Sequence, residues 1–302
     1  MPQDMVEVCV HETRSRPGAE SGMQGKICMV TGASRGIGRA VALGLARRGA
    51  TVILVCRDTQ RGAAACDAIR GASGNQAVHL MTADLASFDS IRGLAKAYRE
   101  QFHQLHVLIN NAGVVKLQRA ETPDGLETTF AVNHLAPFLL THLLLPTLQR
   151  SAPSRIVNVS SVVHRWGAID IDDLQGERRY DGDKAYNQSK LANVLFTYEL
   201  ARRLSGTGVT VNSMEPGMTA TAIGSEYTGF KRFMNWAWRP FMASPEQAAD
   251  TVVFLACAAE LEEVSGKHFV KRRDVRSSKA SYDEALARRL WGVSERLTLR
   301  KE

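Results

Sequence analysis

No stretch of the 302-residue chain approaches the roughly 18 to 20 uninterrupted apolar residues that a membrane-spanning helix requires. The first 25 residues also lack the apolar core of a secretion signal, so the expected compartment is the cytoplasm. Cysteine is scarce. Cys9, Cys28, Cys56, Cys66 and Cys257 form an odd set with no C-x-x-C spacing, and two of them lie inside apolar strand-like runs. They read as reduced thiols, which leaves neither a disulfide framework nor a metal site to expect. Internal repeats and low-complexity stretches are missing too. The formal net charge of +7 gathers at one end, where residues 267–302 carry eleven Lys or Arg against five Asp or Glu. Such a surface can meet nucleic acid, anionic lipid or a phosphorylated ligand, but the segment reads first as a solvated basic helix, and no nucleic acid is expected.

What is present points to one α/β core, with 44% of residues hydrophobic and 23% charged. Residues 1–24 are polar and without periodicity and read as a flexible extension; residues 25–302 form the domain. Met23 suggests an alternative start for the functional chain. From Lys26 onward, short runs rich in Val and Ile alternate with helical patterns, the signature of βαβ units feeding a parallel sheet. Strands are expected near 27–31, 51–56, 77–82, 106–110, 155–160 and 209–214. Apolar side chains on both alternating sets require helices on both faces, hence a doubly wound sheet with its ligand at the carboxyl ends of the strands.

The first strand is followed by Thr31-Gly-Ala-Ser-Arg-Gly-Ile-Gly38 and then by a helical pattern. Gly32, Gly36 and Gly38 permit a tight turn, close approach to a diphosphate and close packing of helix on strand, while the helix N-terminus offers N–H groups to the anion. A dinucleotide is the expected cofactor. Cys56-Arg57-Asp58 ends the second strand, and a cation there pairs with a 2′-phosphate whereas a carboxylate accepts from a 2′-hydroxyl. Arg57 comes first, and Arg35 can reach the same phosphate, so NADP(H) is expected ahead of NAD(H), with Asp58 as the competing signal. Asp84 would suit an adenine amino group or instead cap the helix beginning near Ser87. Ser34, Ile37 and Leu85 complete the expected contacts of these loops.

Tyr186-Asn-Gln-Ser-Lys190 lies in a helical pattern, and its i, i+4 spacing places phenol and ammonium on one face. Lowering a phenol of pKa about 10 by ~3 units takes about 4 kcal/mol. One positive charge near 4 Å, at an effective dielectric of about 20, supplies about that much. The pair is therefore a sufficient general acid/base near neutral pH. Taken alone it is a common accidental pattern. Its context, however, is TGASRGIG, Asn110-Asn-Ala-Gly113, Asn133, Ser160-Ser161 and Pro216-Gly217, in an order and spacing that resemble the short-chain dehydrogenase/reductase family over residues 25–295.

The resemblance implies a single Rossmann-type domain with a substrate lid after the sixth strand. It gives Tyr186 the role of proton donor or acceptor, with Lys190 lowering its pKa and holding the nicotinamide ribose. Ser161, ahead of Ser160, would hydrogen-bond the substrate oxygen and stabilise its developing charge. Asn133 would hold a water relaying protons to Lys190, or else satisfy backbone groups. Asn111 would contact the adenosine side of the cofactor, and Thr219 the nicotinamide carboxamide. Glu215, a charge immediately before the Pro-Gly pair, has no role in this scheme.

The 24 residues between Ser161 and Tyr186 suggest an added wall beside the site. With YNQSKLANVLFTYELARRL and RRLWGVSERL they resemble the retinol dehydrogenase-like branch, whose members act on retinoids and other apolar aldehydes, ketones and alcohols. Phe230, Phe233, Met234, Ala237, Trp238 and Phe241 recur at helical spacing as an apolar face. That face is a candidate pocket lid, a packing surface, or a peripheral contact with an anionic membrane. A homodimer or homotetramer is implied by the resemblance. The rival functions are a catalytically silent dinucleotide sensor or scaffold, and a reductase of a more polar carbonyl.

Overall fold

The computed structural model describes residues 22–217 and 243–299. The six expected strands form within a residue of their expected places, as β1 (Ile27–Thr31), β2 (Thr51–Cys56), β3 (Val78–Thr82), β4 (Val107–Asn110), β5 (Ser154–Val159) and β6 (Val209–Met214). Helices α1 (Gly36–Arg47), α2 (Thr59–Ser73), α3 (Phe88–Gln101), α4 (Thr128–Arg150) and α5 (Gly182–Arg203) connect them. Beyond β6 come α6 (Pro245–Cys257), β7 (Lys267–Val270), β8 (Arg273–Asp274) and α7 (Glu284–Thr298). The sheet runs β3-β2-β1-β4-β5-β6-β7-β8, parallel except for the last pair. It is the doubly wound arrangement, and its order reverses between β1 and β4, which opens a crevice at their carboxyl ends.

Alternate residues of each strand feed opposite layers. Met29, Ile53, Leu108 and Ile156 pack with Ile91 of α3, Phe138 of α4 and Leu195 of α5. Cys28, Val30, Leu54 and Ile109 pack with Val41 of α1, Ile69 of α2 and Val252 of α6. This period-two division is why the central strands read as continuously apolar. The four described cysteines are buried and none is in a disulfide. Burial, with Cys257 adding to it, pushes Cys28 up to about 12 and leaves it inert. α4 is long and apolar enough to cross a membrane by composition, yet 78% of its most apolar window is buried inside the protein, as in a core helix.

Two expectations are corrected. Met23, assigned to the flexible extension over residues 1–24, is buried at 5% exposure and its N–H donates to the Arg48 carbonyl at 2.7 Å, so the packed chain includes it. Residues 1–21 lie outside the described residues. The basic segment 267–302 is not a solvated helix throughout: it begins with the β7–β8 hairpin, and α7 buries Ala287, Leu290 and Trp291 against α4 and α5. The Arg203 guanidinium stacks 4.1 Å from the centre of the Trp291 ring, covering its outer side. α7 thus belongs to the core. Trp291→Ala is expected to cost about 3 to 5 kcal/mol in guanidinium unfolding; a loss below about 1 kcal/mol would show that α7 is only appended.

Candidate active site

The crevice between β1 and β4 is built around Thr31. Its hydroxyl donates to the Ile109 carbonyl at 3.3 Å and accepts from the N–H groups of Asn111 and Ala112 at 3.0 and 3.1 Å. The Asn111 carboxamide donates to the Thr31 carbonyl at 2.8 Å, so this residue, expected at the adenosine side, braces the glycine loop. Gly32 has φ +67°, and a Cβ there would fall 2.9 Å from the Ala112 Cα. At Gly38 a Cβ would come within 2.5 Å of both Asn111 Nδ2 and the Gly32 carbonyl. No other residue fits either place. α1 then begins at Gly36 after an exposed Arg35, with no side-chain cap and no acidic residue in its first turn. By contrast α2, α3, α5, α6 and α7 are capped by Asp58, Ser87, Asp181, Ser244 and Asp283. Uncapped N–H groups above a cradle without side chains fit a dinucleotide diphosphate.

The edge of that cradle is β2. Gly32 N–H donates to the Val55 carbonyl at 2.9 Å and Ala33 N–H to the same carbonyl at 3.4 Å. Ser34, Arg35 and Arg57 therefore share one rim, with Arg57 exposed. Asp58, the competing signal, is occupied: it accepts from the Arg61 N–H at 2.9 Å and pairs with the Arg61 guanidinium at 2.9 Å, which holds its carboxyl below the usual range. Ile37 points into the core and supports the loop from below. Asp84 does not cap α3, since Ser87 does; its carboxylate accepts from the Ala86 N–H at 3.0 Å, and Leu85 packs against the core beside it.

β4 and β5 bring in the remaining groups. Ser160 is buried and its hydroxyl donates to the Lys190 carbonyl at 2.8 Å, whereas half-buried Ser161 caps the turn that follows, its hydroxyl oxygen accepting from the Val163 N–H at 3.5 Å. Tyr186 is half-buried in the second turn of α5, and Lys190 lies one turn further along, its ammonium 5.6 Å from the centre of the Tyr186 ring. The ammonium donates to the Val159 carbonyl at 3.2 Å, and burial pushes its pKa down to about 8. A cation beside the ring favours the phenolate over the phenol. Asn133 sits in a π-helical turn, Ala131–Leu135, within α4. Its carboxamide accepts from Val114 N–H at 2.8 Å and donates to the Val114 carbonyl and Ser189 hydroxyl, each at 2.9 Å. Gly113 passes beside it, where a Cβ would lie 3.4 Å from both Asn133 Oδ1 and Lys190 Nζ. Thr219 and the apolar face of residues 230–241 lie outside the described residues.

The expected wall between Ser161 and Tyr186 is pinned at its far end by the Tyr180 hydroxyl, 2.8 Å from the Lys116 carbonyl and 3.0 Å from Glu127. Nothing in the sequence marked Glu127, which caps the start of α4 through both carboxylate oxygens. Equally unmarked is a buried cluster of His164, Glu215 and His268 behind Ser161.

A family model described as short chain dehydrogenase matches residues 26–231. The chain belongs to the short-chain dehydrogenase family. Human retinol dehydrogenase 11 is 47% identical over 272 residues, covering 90% of this chain and 85% of that protein. Human retinol dehydrogenase 13 is 48% identical over 280 residues, covering 90% and 84%. Among solved structures, a Mycobacterium paratuberculosis protein of unassigned function superposes with a TM-score of 0.76 at 33% identity, over 93% of this chain and 96% of its own. The Pseudomonas aeruginosa RhlG/NADP active-site complex superposes at 0.67 with 29% identity, over 82% and 95%. As a short-chain dehydrogenase the protein is a nicotinamide-dependent oxidoreductase acting at an alcohol or carbonyl carbon.

A buried ammonium is costly to the dehydrogenase fold. Moving Lys190 from 10.5 to about 8 disfavours its charged form by about 3 kcal/mol. Because the folded pKa is the lower one, that penalty is complete below about 8 and fades as pH rises toward 10.5. Lys190→Met is therefore expected to raise Tm by several degrees at pH 7 while lowering kcat about 100-fold or more. Unchanged or lower stability would contradict the burial cost.

Proposed function

We propose that this protein is an NADP(H)-dependent oxidoreductase of an apolar aldehyde, ketone or alcohol, retinoid-like or otherwise lipophilic. The observation that carries the chemistry is the buried Lys190 ammonium, 5.6 Å from the centre of the half-buried Tyr186 ring and 3.2 Å from the Val159 carbonyl at the end of β5, two residues before half-buried Ser161. Ser161 donates its hydroxyl proton to the substrate oxygen and stabilises the charge that grows there. Tyr186 delivers a proton to that oxygen in reduction, or removes it in oxidation, and Lys190 stabilises the phenolate form. A bound nicotinamide supplies or accepts the hydride. Asn133, held to Val114 and Ser189, keeps one lone pair of Oδ1 for a water on the Lys190 side.

The phosphate on the adenosine ribose is recognised by Arg57 and Arg35, given that Asp58 is committed to Arg61. Asp84, Leu85 and Asn111 line the adenosine side, and Thr219 the nicotinamide side. Two observations support an apolar substrate: the names of the retinol dehydrogenase relatives, and Trp166, which is 69% exposed in the turn that follows Ser161. An apolar lid formed by residues 227–241, and peripheral membrane contact through it, belong to the same reading. So does assembly into a homodimer or homotetramer, through surfaces other than the α4–α5 face that α7 covers.

The test supplies NADPH or NADH with aldehydes and ketones of graded hydrophobicity, including retinal. Turnover is expected with NADPH and an apolar carbonyl, and Arg57→Ala should narrow the preference for NADPH about tenfold or more without slowing the NADH reaction. Equal use of both cofactors by the wild type would remove the role of Arg57. No turnover of any carbonyl would refute the substrate assignment.

A further inference from the structure

Glu215 follows β6 directly as a carboxylate with only 7% of its side chain exposed. A buried charge survives only where other groups replace its hydration. Its replacements come from two neighbouring elements: Oε2 lies 3.3 Å from His164 Nδ1 and 3.4 Å from His268 Nε2, and Oε1 lies 3.9 Å from the Arg165 guanidinium. Burial by itself would raise the carboxyl, but hydrogen bonds from the two imidazoles hold it down at about 2.

The tautomers follow from what each ring nitrogen faces. His164 Nε2 lies 3.1 Å from the Ser278 N–H and accepts it. Nδ1 therefore carries the proton, which it donates to the Ser161 carbonyl at 2.7 Å and shares with Glu215 at 3.3 Å. His268 turns Nε2–H toward the carboxylate and accepts the Ser213 hydroxyl on Nδ1 at 2.8 Å. The nitrogen and oxygen atoms of the cluster lie within 4.8 Å of one another, a spacing that suits a cation. Both nitrogens of His164 are nevertheless engaged, so it has no lone pair left for an ion.

The strand ends supply the rest of the geometry. Ser160 N–H donates to the Met214 carbonyl at 2.7 Å and Glu215 N–H to the Phe269 carbonyl at 3.1 Å, after which the backbone ladder stops. One residue further on, Ser161 opens a 3-10 turn, Val162–Trp166. The side chains of His164, Glu215 and His268 continue the tie across β5, β6 and β7 where the backbone no longer does.

We propose that Glu215 is a positioning residue of this active site, which clamps His164 against the Ser161 carbonyl and so keeps the Ser161 hydroxyl aimed at the substrate oxygen. The inference rests on the role given to Ser161 above. Among the described residues, Arg165, His164 and His268 are the charged or titratable groups that face the carboxylate. Removing it leaves the His268 N–H buried without an acceptor and leaves the His164 ring held by the Ser161 carbonyl and the Ser278 N–H alone.

A double-mutant cycle reads the coupling. Glu215→Ala is expected to lower kcat about tenfold with the NADPH Kd changed less than about twofold, whereas in a Ser161→Ala background the same substitution should cost less than about twofold. Glu215→Gln, which keeps an acceptor for both imidazoles, recovers most of the loss. If Glu215→Ala does not fold, Glu215→Asp, which withdraws the carboxylate by one methylene, takes its place in the cycle. The nitrogen spectrum of histidine-labelled protein reports the clamp without turnover: His164 should be the Nδ1–H tautomer in wild type, and its Nδ1 resonance should move once Glu215, the second acceptor of that proton, is lost. Equal losses in both backgrounds, or a His164 spectrum indifferent to residue 215, would overturn the proposal. A wild type without turnover counts against the catalytic roles instead, and the spectrum then decides the clamp by itself.

Discussion

The buried ammonium of Lys190 is the constraint around which this protein is arranged. In a site that pushes its pKa down to about 8, the charge is stabilised by the Val159 carbonyl at 3.2 Å and by the Tyr186 ring at 5.6 Å. Each neighbouring feature keeps that arrangement. Ser160 holds the Lys190 backbone through its hydroxyl, Gly113 leaves no side chain between Lys190 and Asn133, and the π-helical turn of α4 sets Asn133 against Val114 and Ser189. π-turns of this kind persist where function repays their poorer hydrogen bonding. In the function proposed above, the stability lost in burying the charge is returned as an acid/base group that operates near neutral pH.

Much of this was legible because the signals are local. Strand positions followed from runs of Val and Ile, and the glycine cradle from a loop set between strand and helix. Of the adjacent Ser160 and Ser161, the structure adds where the first one goes: its hydroxyl turns into α5 and donates to the Lys190 carbonyl. Asp58 illustrates a signal that sequence leaves ambiguous. Only the position of the Arg61 N–H and guanidinium shows that its carboxylate is used as a helix cap.

The C-terminal hairpin was hidden for the opposite reason. Its two-residue turn is Lys271-Arg272, at φ +48° and +64°, where Asn-Gly would have announced a hairpin. Tertiary contacts bear the backbone strain: Arg272 N–H donates to Thr251 at 3.2 Å and the guanidinium pairs with Asp250. In α7 the basic outer face masked a buried stripe of Ala287, Leu290 and Trp291. His164, Glu215 and His268 were beyond any reading of spacing, because the parallel strands gather residues about fifty positions apart into one cluster.

Tyr186 itself offers the most direct test of the account. Its ionisation can be followed by phenolate absorbance, as the difference between wild type and Tyr186→Phe across pH 5 to 11. Tyrosine ionisation below the range of an ordinary phenol, absent from Tyr186→Phe and returned to the ordinary range in Lys190→Met, is the predicted result. A difference spectrum that shows no ionisation until about pH 10 would contradict it.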